Sequence, residues 1–167
     1  TFEKLDGIAK SVSAYLDKIH GDGRARWNVH VEIYAHGRHV SEIVEALKGD
    51  NEEVFDELRL YAHDYIPRDP SLADQCHSSR LRHGGKFIKW DKPECPFVPI
   101  QILAAITKED VEKHHKSFIN RGFEGTVVCN PKGLYKYETR SYDKLKKKDL
   151  FSEEFMIIGG EPEYSGD

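Results

Sequence analysis

Between positions 29 and 36 apolar and polar residues alternate: Val29, Val31, Ile33 and Ala35 interleave with His30, Glu32, Tyr34 and His36. A two-residue period predicts a half-buried strand carrying the second set on its polar face. Residues 58–66, rich in Leu, Tyr and Ile, predict another strand, as do the apolar stretches 99–106, 123–129 and 155–158. Two helices announce themselves by their ends. Ser41 caps a run carrying Ile43, Val44, Ala46 and Leu47 that stops at Gly49. Thr107, with Asp110 three residues on, opens a run carrying Val111, Phe118 and Ile119 that stops at Gly122. The stretch 8–19 fits both periods. Ile8, Val12, Tyr15, Leu16 and Ile19 suit a helix, whereas Ile8, Val12, Ala14 and Leu16 suit a strand. Residues 67–99 hold Pro67, Pro70, Pro93, Pro96, Pro99 and the pair Gly84-Gly85, and predict an extended connection with one short helix. Asn130-Pro131-Lys132-Gly133 predicts a turn. Strands outnumber helices and are mixed with them, so the expected class is α+β with largely antiparallel sheets.

Composition narrows the class of protein without choosing a function. The 167 residues suffice for one domain with a real core. A hydrophobic fraction of 38% beside 32% charged residues excludes collagen-like and wholly disordered chains. No apolar run approaches the length of a membrane span. Cys76, Cys95 and Cys129 are odd in number and form no C-x-x-C pair, which supports neither a disulfide framework nor a zinc ribbon and suggests a reducing compartment. The formal net charge of −4 argues against a wholly basic nucleic-acid binder but leaves room for local basic patches. Two such patches exist, one at Lys144, Lys146, Lys147 and Lys148, the other at Arg80, Arg82, His83 and Lys86. Among the nine histidines, Cys76-His77 with His83 and the pair His114-His115 could ligate metal, but no helical i, i+4 pair or four-ligand set is visible. Trp27 and Trp90 suit packing, with Trp90 set in a basic stretch where DNA contact is conceivable.

Four short constellations carry candidate chemistry. Lys4-Leu5-Asp6-Gly7 offers an amine that attacks once it loses its proton. Glu32, on a polar strand face, can hold a ribose hydroxyl or a metal-bound water. Glu124 opens Glu-Gly-Thr-Val-Val, and magnesium takes one or two such carboxylates together with phosphate. Lys146 and Lys148 point the same way on an extended segment and suit phosphate. Taken singly, each has a plainer reading as a solvated charge.

Their order is more specific than any one of them. KxDG, E-I-Y-x-x-G, Tyr-Ala-His-Asp, EGTVV, NPKGLY, Arg140-Ser141, LKKK and EEFMIIGG follow one another in a way that resembles the ATP-dependent DNA ligases of phage or bacterial type, within the covalent nucleotidyltransferases. The resemblance covers nearly the whole chain, most thinly between 69 and 97, and is most specific from 124 to 160. It implies an α+β nucleotidyltransferase fold, ATP-grasp-like and of the ligase adenylation type, with mainly antiparallel sheets flanked by helices. Residues 1–158 would form the adenylation domain and 159–167 the start of an OB-fold. Lys4 would be the nucleophile that becomes lysyl-AMP, with Asp6 beside the metal. Glu32 would bind ribose, Tyr61 would stack on adenine, and Glu124 would bind the metal. Lys146 and Lys148 would contact the α-phosphate and the adenylate. Arg80, Arg82, Lys86 and Arg140 are candidates for DNA contact. The cofactors implied are ATP and Mg2+, and the partner is nicked double-stranded DNA. A monomer without membrane attachment is expected, in a bacterial or phage-infected cytoplasm.

The sequence also departs from that pattern. Ala9 stands where ATP-dependent enzymes commonly carry arginine, and His20-Gly21-Asp22-Gly23 resembles the NAD-dependent branch with His20 in place of an arginine. The front half therefore leaves ATP and NAD open, while residues 140–148 favour ATP. Only 28 positions separate Lys4 from Glu32, a short interval for the family. Rival readings are an RNA ligase of the same superfamily, against which EEFMIIGG weighs, and a non-catalytic nucleotide- or DNA-binding relative.

Overall fold

A computed structural model describes residues 3–20, 27–68, 75–136, 139 and 141–149. The expected strand at 155–158, the proposed domain boundary after 158, Gly21-Asp22-Gly23 and Arg140 lie outside the described residues.

The ambiguous first segment is a helix, α1, Glu3–His20. Helical spacing wins because Ile8, Val12, Tyr15, Leu16 and Ile19 all meet the apolar core, while Ala14, which only the strand pattern required, is exposed. Strand β1, Trp27–Tyr34, runs antiparallel to β2, Arg59–Pro67, and β3, Phe97–Pro99, adds a short parallel pairing to β2. One face of this sheet presents Val29, Val31, Ile33, Leu60, Ala62 and Tyr65 to α1 and to Phe97 and Ile88, which form the core. Trp27 is buried there, and Trp90 packs against its margin while its indole N–H donates to the Gly85 carbonyl at 3.1 Å.

The other face is polar. Glu32 pairs with Tyr61 and His30 with Asp64, and a register shift between His30 and Val31 leaves His63 as the extra residue of a bulge. A second sheet pairs β4, Thr126–Cys129, antiparallel to β5, Lys144–Lys147. Helix α5, Lys108–Asn120, packs against it and begins with the expected reciprocal cap: Asp110 N–H donates to Thr107 Oγ1 at 3.1 Å, and Thr107 N–H to the Asp110 carboxylate at 3.0 Å. The fold is thus mixed α+β with small, mostly antiparallel sheets. No helix among the described residues is long and apolar enough to cross a membrane.

Three local expectations need correction. Helix α2, Val40–Lys48, is capped two residues earlier than expected, by His39 and not Ser41, with Glu42 accepting the His39 N–H at 2.7 Å; it ends at Gly49 in the left-handed conformation, as expected. It is followed by the short helix α3, Glu52–Glu57, capped by Asn51, which was not expected. The predicted strand 99–106 stops at Pro99. Beyond Ala62, β2 bulges and packs against α4, His77–Phe87, so no ladder continues for residues 101–106, and they stay exposed. Gly84 lies within α4 because its missing side chain lets the helix approach β2; a Cβ there would fall on the Tyr65 ring.

Asp64 ties these parts together. It is fully buried, and Arg80 of α4 donates to both its oxygens at 2.9 Å. Lys144 of β5 adds a third contact at 2.8 Å. The Arg80 guanidinium also donates to the Gln75 carbonyl at 2.7 Å and to the Gly133 carbonyl at 3.4 Å. The expected turn at 130–133 docks on the start of α4, where His77 N–H donates to the Gly133 carbonyl at 2.9 Å. Burial alone would push the Asp64 carboxyl up, but hydrogen bonds and charge from Arg80 and Lys144 outweigh it and hold the group well below the usual carboxylate range.

Removing Arg80 strands a buried charge, so Arg80→Met should cost about 3–5 kcal/mol in urea unfolding. Acid should destabilise the wild type in two stages. His30, His63 and His77, pushed down chiefly by burial, bind protons more readily when unfolded, so stability declines below about pH 6.5. Asp64 favours the folded state above its unfolded value of about 4, and that advantage fades as the proton is forced on. Asp64→Asn should flatten only the second decline, measured as midpoint against pH.

Candidate functional site

Because side chains alternate along a strand, the polar face of β1 and β2 gathers His30, Glu32, Tyr34, Tyr61 and His63 opposite the core. Tyr34 and Tyr61 meet edge to face with centroids 5.8 Å apart, and the Tyr34 hydroxyl lies 3.0 Å from His36 Nδ1. Burial pushes the Tyr34 phenol above its usual value, and the negative field of Glu124 and Glu32 adds to it. Phe123, next to Glu124 and just ahead of β4, meets the His36 ring at 4.9 Å between centroids, which brings this segment beside Tyr34.

The second sheet supplies cations to this cleft. Lys148 Nζ stands 2.6 Å from Glu124 Oε2, and the two side chains remain 54% and 72% exposed. Hydrogen bonding from Lys148 comes first in holding the Glu124 carboxyl below its ordinary value, and Lys146 and His39 add attraction. Lys144 reaches Asp64 of the first sheet and Lys148 reaches Glu124 ahead of β4, while the intervening Lys147 turns to α5 and meets Glu112 at 3.1 Å. Within β5, alternation puts Lys146 on the face of Lys144 and opposite Lys147, and Lys148 follows the strand's last residue.

Gly125 makes the close approach of β4 and β5 possible. A Cβ at this position would fall on the Lys147 carbonyl oxygen and come within 3.0 Å of Lys148 Cγ. Glu124 and Lys148 can pair only because the strands close here.

The structure does not bring Lys4 and Asp6 to the same cleft. Both lie in the first turns of α1, so the KxDG motif is helical. Lys4 Nζ donates to Glu52 Oε1 at 2.6 Å and sits 4.2 Å from the Phe55 ring centroid. It edges a separate cleft of about 630 Å³, lined also by Ile8, Val12, Phe55, Leu58 and Leu60. Leu60 faces the core side of β2, whereas Tyr61 faces the opposite side. Lys4 thus stands across the first sheet from Glu32, Tyr61, Glu124, Lys146 and Lys148. An ammonium in an ion pair has no lone pair to attack with.

The proposed metal donors are divided in the same way, Glu124 on the cleft side and Asp6 on the far side. Among the described residues no group of three or more His, Cys, Asp and Glu side chains converges as a metal would require. Of the two donors, Glu124 alone lies beside the lysines, and its carboxylate is taken by Lys148.

Of the candidate DNA contacts, Arg82 and Lys86 are exposed on α4. Arg80 is not at the surface: it is 1% exposed and wholly engaged with Asp64 and two carbonyls. Sequence reasoning grouped it with its basic neighbours, although the i, i+2 offset from Arg82 turns it to another side of the helix. Lys144 and Asp64 escaped notice as a pair, since 80 positions separate them.

No family model matches the chain, and no curated protein matches it. Solved structures do, and the likeness is one of fold: over part of its length the chain shares the fold of DNA ligases. One is a DNA ligase from a study described as DNA binding with a minimal scaffold in the Lig E DNA ligases, 20% identical with a TM-score of 0.55, covering 72% of this chain and 46% of the ligase. Another is the Chlorella virus DNA ligase-adenylate, 18% identical with a TM-score of 0.53, covering 65% of this chain and 40% of that one. A third, named Pmar-Lig_Pre, is 13% identical with a TM-score of 0.62 over 80% of this chain and 32% of its own. The chain spans less than half the length of each.

Gly125→Ala should drive β4 from β5 and lower stability by roughly 1–3 kcal/mol, as overpacking does. Chemical denaturation reads the loss.

Proposed function

We propose that the chain is the adenylation domain of an ATP-dependent DNA ligase, taking ATP with magnesium, forming lysyl-AMP on Lys4 and passing AMP to the 5′-phosphate of nicked double-stranded DNA. What supports this reading is a fold shared with DNA ligases in which Glu32 and Tyr61 pair on the polar face of the first sheet and Glu124 pairs with Lys148 at the end of the second. Tyr61 offers a ring for adenine, and Glu32 an acceptor for ribose hydroxyls. Lys146 and Lys148 meet the negative charge that grows on the α-phosphate as bonds change. Glu124 would hold magnesium, which supplies further charge neutralisation at the phosphates when bound.

In the first step the Lys4 Nζ lone pair forms a bond to the α-phosphorus while the bond to the bridging oxygen breaks. Pyrophosphate leaves with that electron pair and the amine releases its proton. A 5′-phosphate oxygen then displaces Lys4 from the adenylate, and a 3′-hydroxyl displaces AMP to seal the strand. Before any of this the Lys4 amine must leave Glu52 and reach the cleft side, so the first turn of α1 has to be re-sited. That requirement also supports a second reading, a non-catalytic nucleotide- or DNA-binding relative.

Intact mass after incubation with ATP and magnesium separates the readings. One added AMP, absent in Lys4→Ala, is the expected result. Uptake from NAD alone would assign the other cofactor branch. No adduct from either nucleotide would overturn the enzyme reading in favour of the binding module. For the DNA partner, Arg82→Ala and Lys86→Ala should each weaken binding to nicked duplex regardless of sequence and lower the slope of log affinity against log salt by about 1. Affinities titrated over salt concentration test this.

A further inference from the structure

His115 is a histidine on the inner side of α5, only 2% exposed, with both ring nitrogens engaged. Nδ1 lies 3.0 Å from Thr126 Oγ1, and Nε2 lies 3.0 Å from Asp149 Oδ1. A carboxylate only accepts, so Nε2 carries a proton toward Asp149, while Nδ1 and the threonine hydroxyl share the second bond. Asp149 directly follows Lys148, and Thr126 lies two residues after Glu124. The Glu124–Lys148 ion pair joins the other ends of those two short segments. The result is a closed ring: Glu124, Gly125 and Thr126 on one side, Lys148 and Asp149 on the other, with His115 as the clasp. One helical turn earlier, Glu112 holds Lys147, so α5 grips the end of β5 at two points.

We infer that His115 is a positioning residue which, through Asp149 and Thr126, fixes where the Lys148 ammonium and the Glu124 carboxylate stand. The inference rests on the adenylation reading, since it assigns His115 a role in the charge stabilisation that Lys148 would supply. Lys148 hangs on a flexible stem just past the end of its strand and is half exposed, and the next residue, Asp149, is tied to α5 through His115. Without the clasp the ammonium keeps its charge but loses its place, and misplacement of about 1 Å is enough to slow a step severely.

The test uses Asp149, whose side chain is 46% exposed and whose truncation spares the core. Asp149→Ala should slow covalent AMP uptake by roughly tenfold to a hundredfold with a much smaller change in KM for ATP, because the contact strengthens as charge develops. Asp149→Asn, whose amide oxygen still accepts the Nε2 proton, should restore most of the rate. Isotope-labelled lysine gives a readout apart from activity: the Lys148 Cε signal should move in Asp149→Ala and return in Asp149→Asn. A wild-type rate and an unmoved Lys148 signal in Asp149→Ala would overturn the inference while leaving the adenylation reading intact. Equal loss in Asp149→Ala and Asp149→Asn would likewise overturn it. A wild-type chain that accepts no AMP would overturn the adenylation reading and the inference with it, which is a different result from either.

Discussion

A single carboxylate, that of Asp64, has lost all of its water and stays ionised only because Arg80 and Lys144 surround it. Each of the three charges belongs to a different element: Asp64 to β2, Arg80 to α4, Lys144 to β5. Taking an ion out of water costs several kcal/mol, and the cost is offset only when the geometry is good and every remaining polar site is satisfied. Here the guanidinium fork meets both carboxylate oxygens, and its spare N–H groups find the Gln75 and Gly133 carbonyls. The Asp64 oxygen not shared with Lys144 takes the Tyr65 N–H at 2.9 Å. The triad therefore specifies a position as much as it stabilises one, since any slip of α4 or β5 would leave a bare charge inside. Lys146 shares a strand face with Lys144, so the contact that docks β5 also sets the direction of Lys146.

What could be read from the chain follows from which interactions are local. The α5 cap was legible because Thr107 and Asp110 are three residues apart, and the polar face of β1 because its period is two. The class and most strands followed from the same signals. The stretch 99–106 misled because an apolar, β-prone run states only that a strand would be possible; whether an edge is free depends on a bulge at His63 and a helix packed on β2, both distant in sequence. Arg80 misled for a related reason. Its charge reads as surface until a buried partner 16 positions away is known. His115 was visible as a polar residue on the face of Val111 and Ile119, which is the signal of a buried hydrogen bond, but Thr126 and Asp149 could be assigned to it only in three dimensions.

The candidate site divides along the same line. Glu32 with Tyr61, and Glu124 with Lys148, come together because strand pairing and alternation carry them there, and both are properties of regular backbone. Lys4 has no such constraint. Its motif lies at the start of a helix whose orientation is set by the apolar stripe from Ile8 to Ile19, and that stripe puts the first turn beside Phe55 and Leu60. The ion pair with Glu52 and the Phe55 ring hold the amine there, yet Glu52 is 75% exposed, and exposed pairs contribute about 0–1 kcal/mol. Breaking them is cheap. The larger obstacle is the apolar face of α1, since Ile8 and Val12 would have to surrender core contacts if the whole helix moved. Re-siting confined to the first turn, ahead of Ile8, avoids that cost. Gly7 is the natural pivot: no neighbouring side chain or backbone packs where its Cβ would be, and glycine in a helix interior weakens the helix by roughly 0.5–1 kcal/mol. The same four residues that hold the proposed nucleophile thus contain the weak link that would let it change sides.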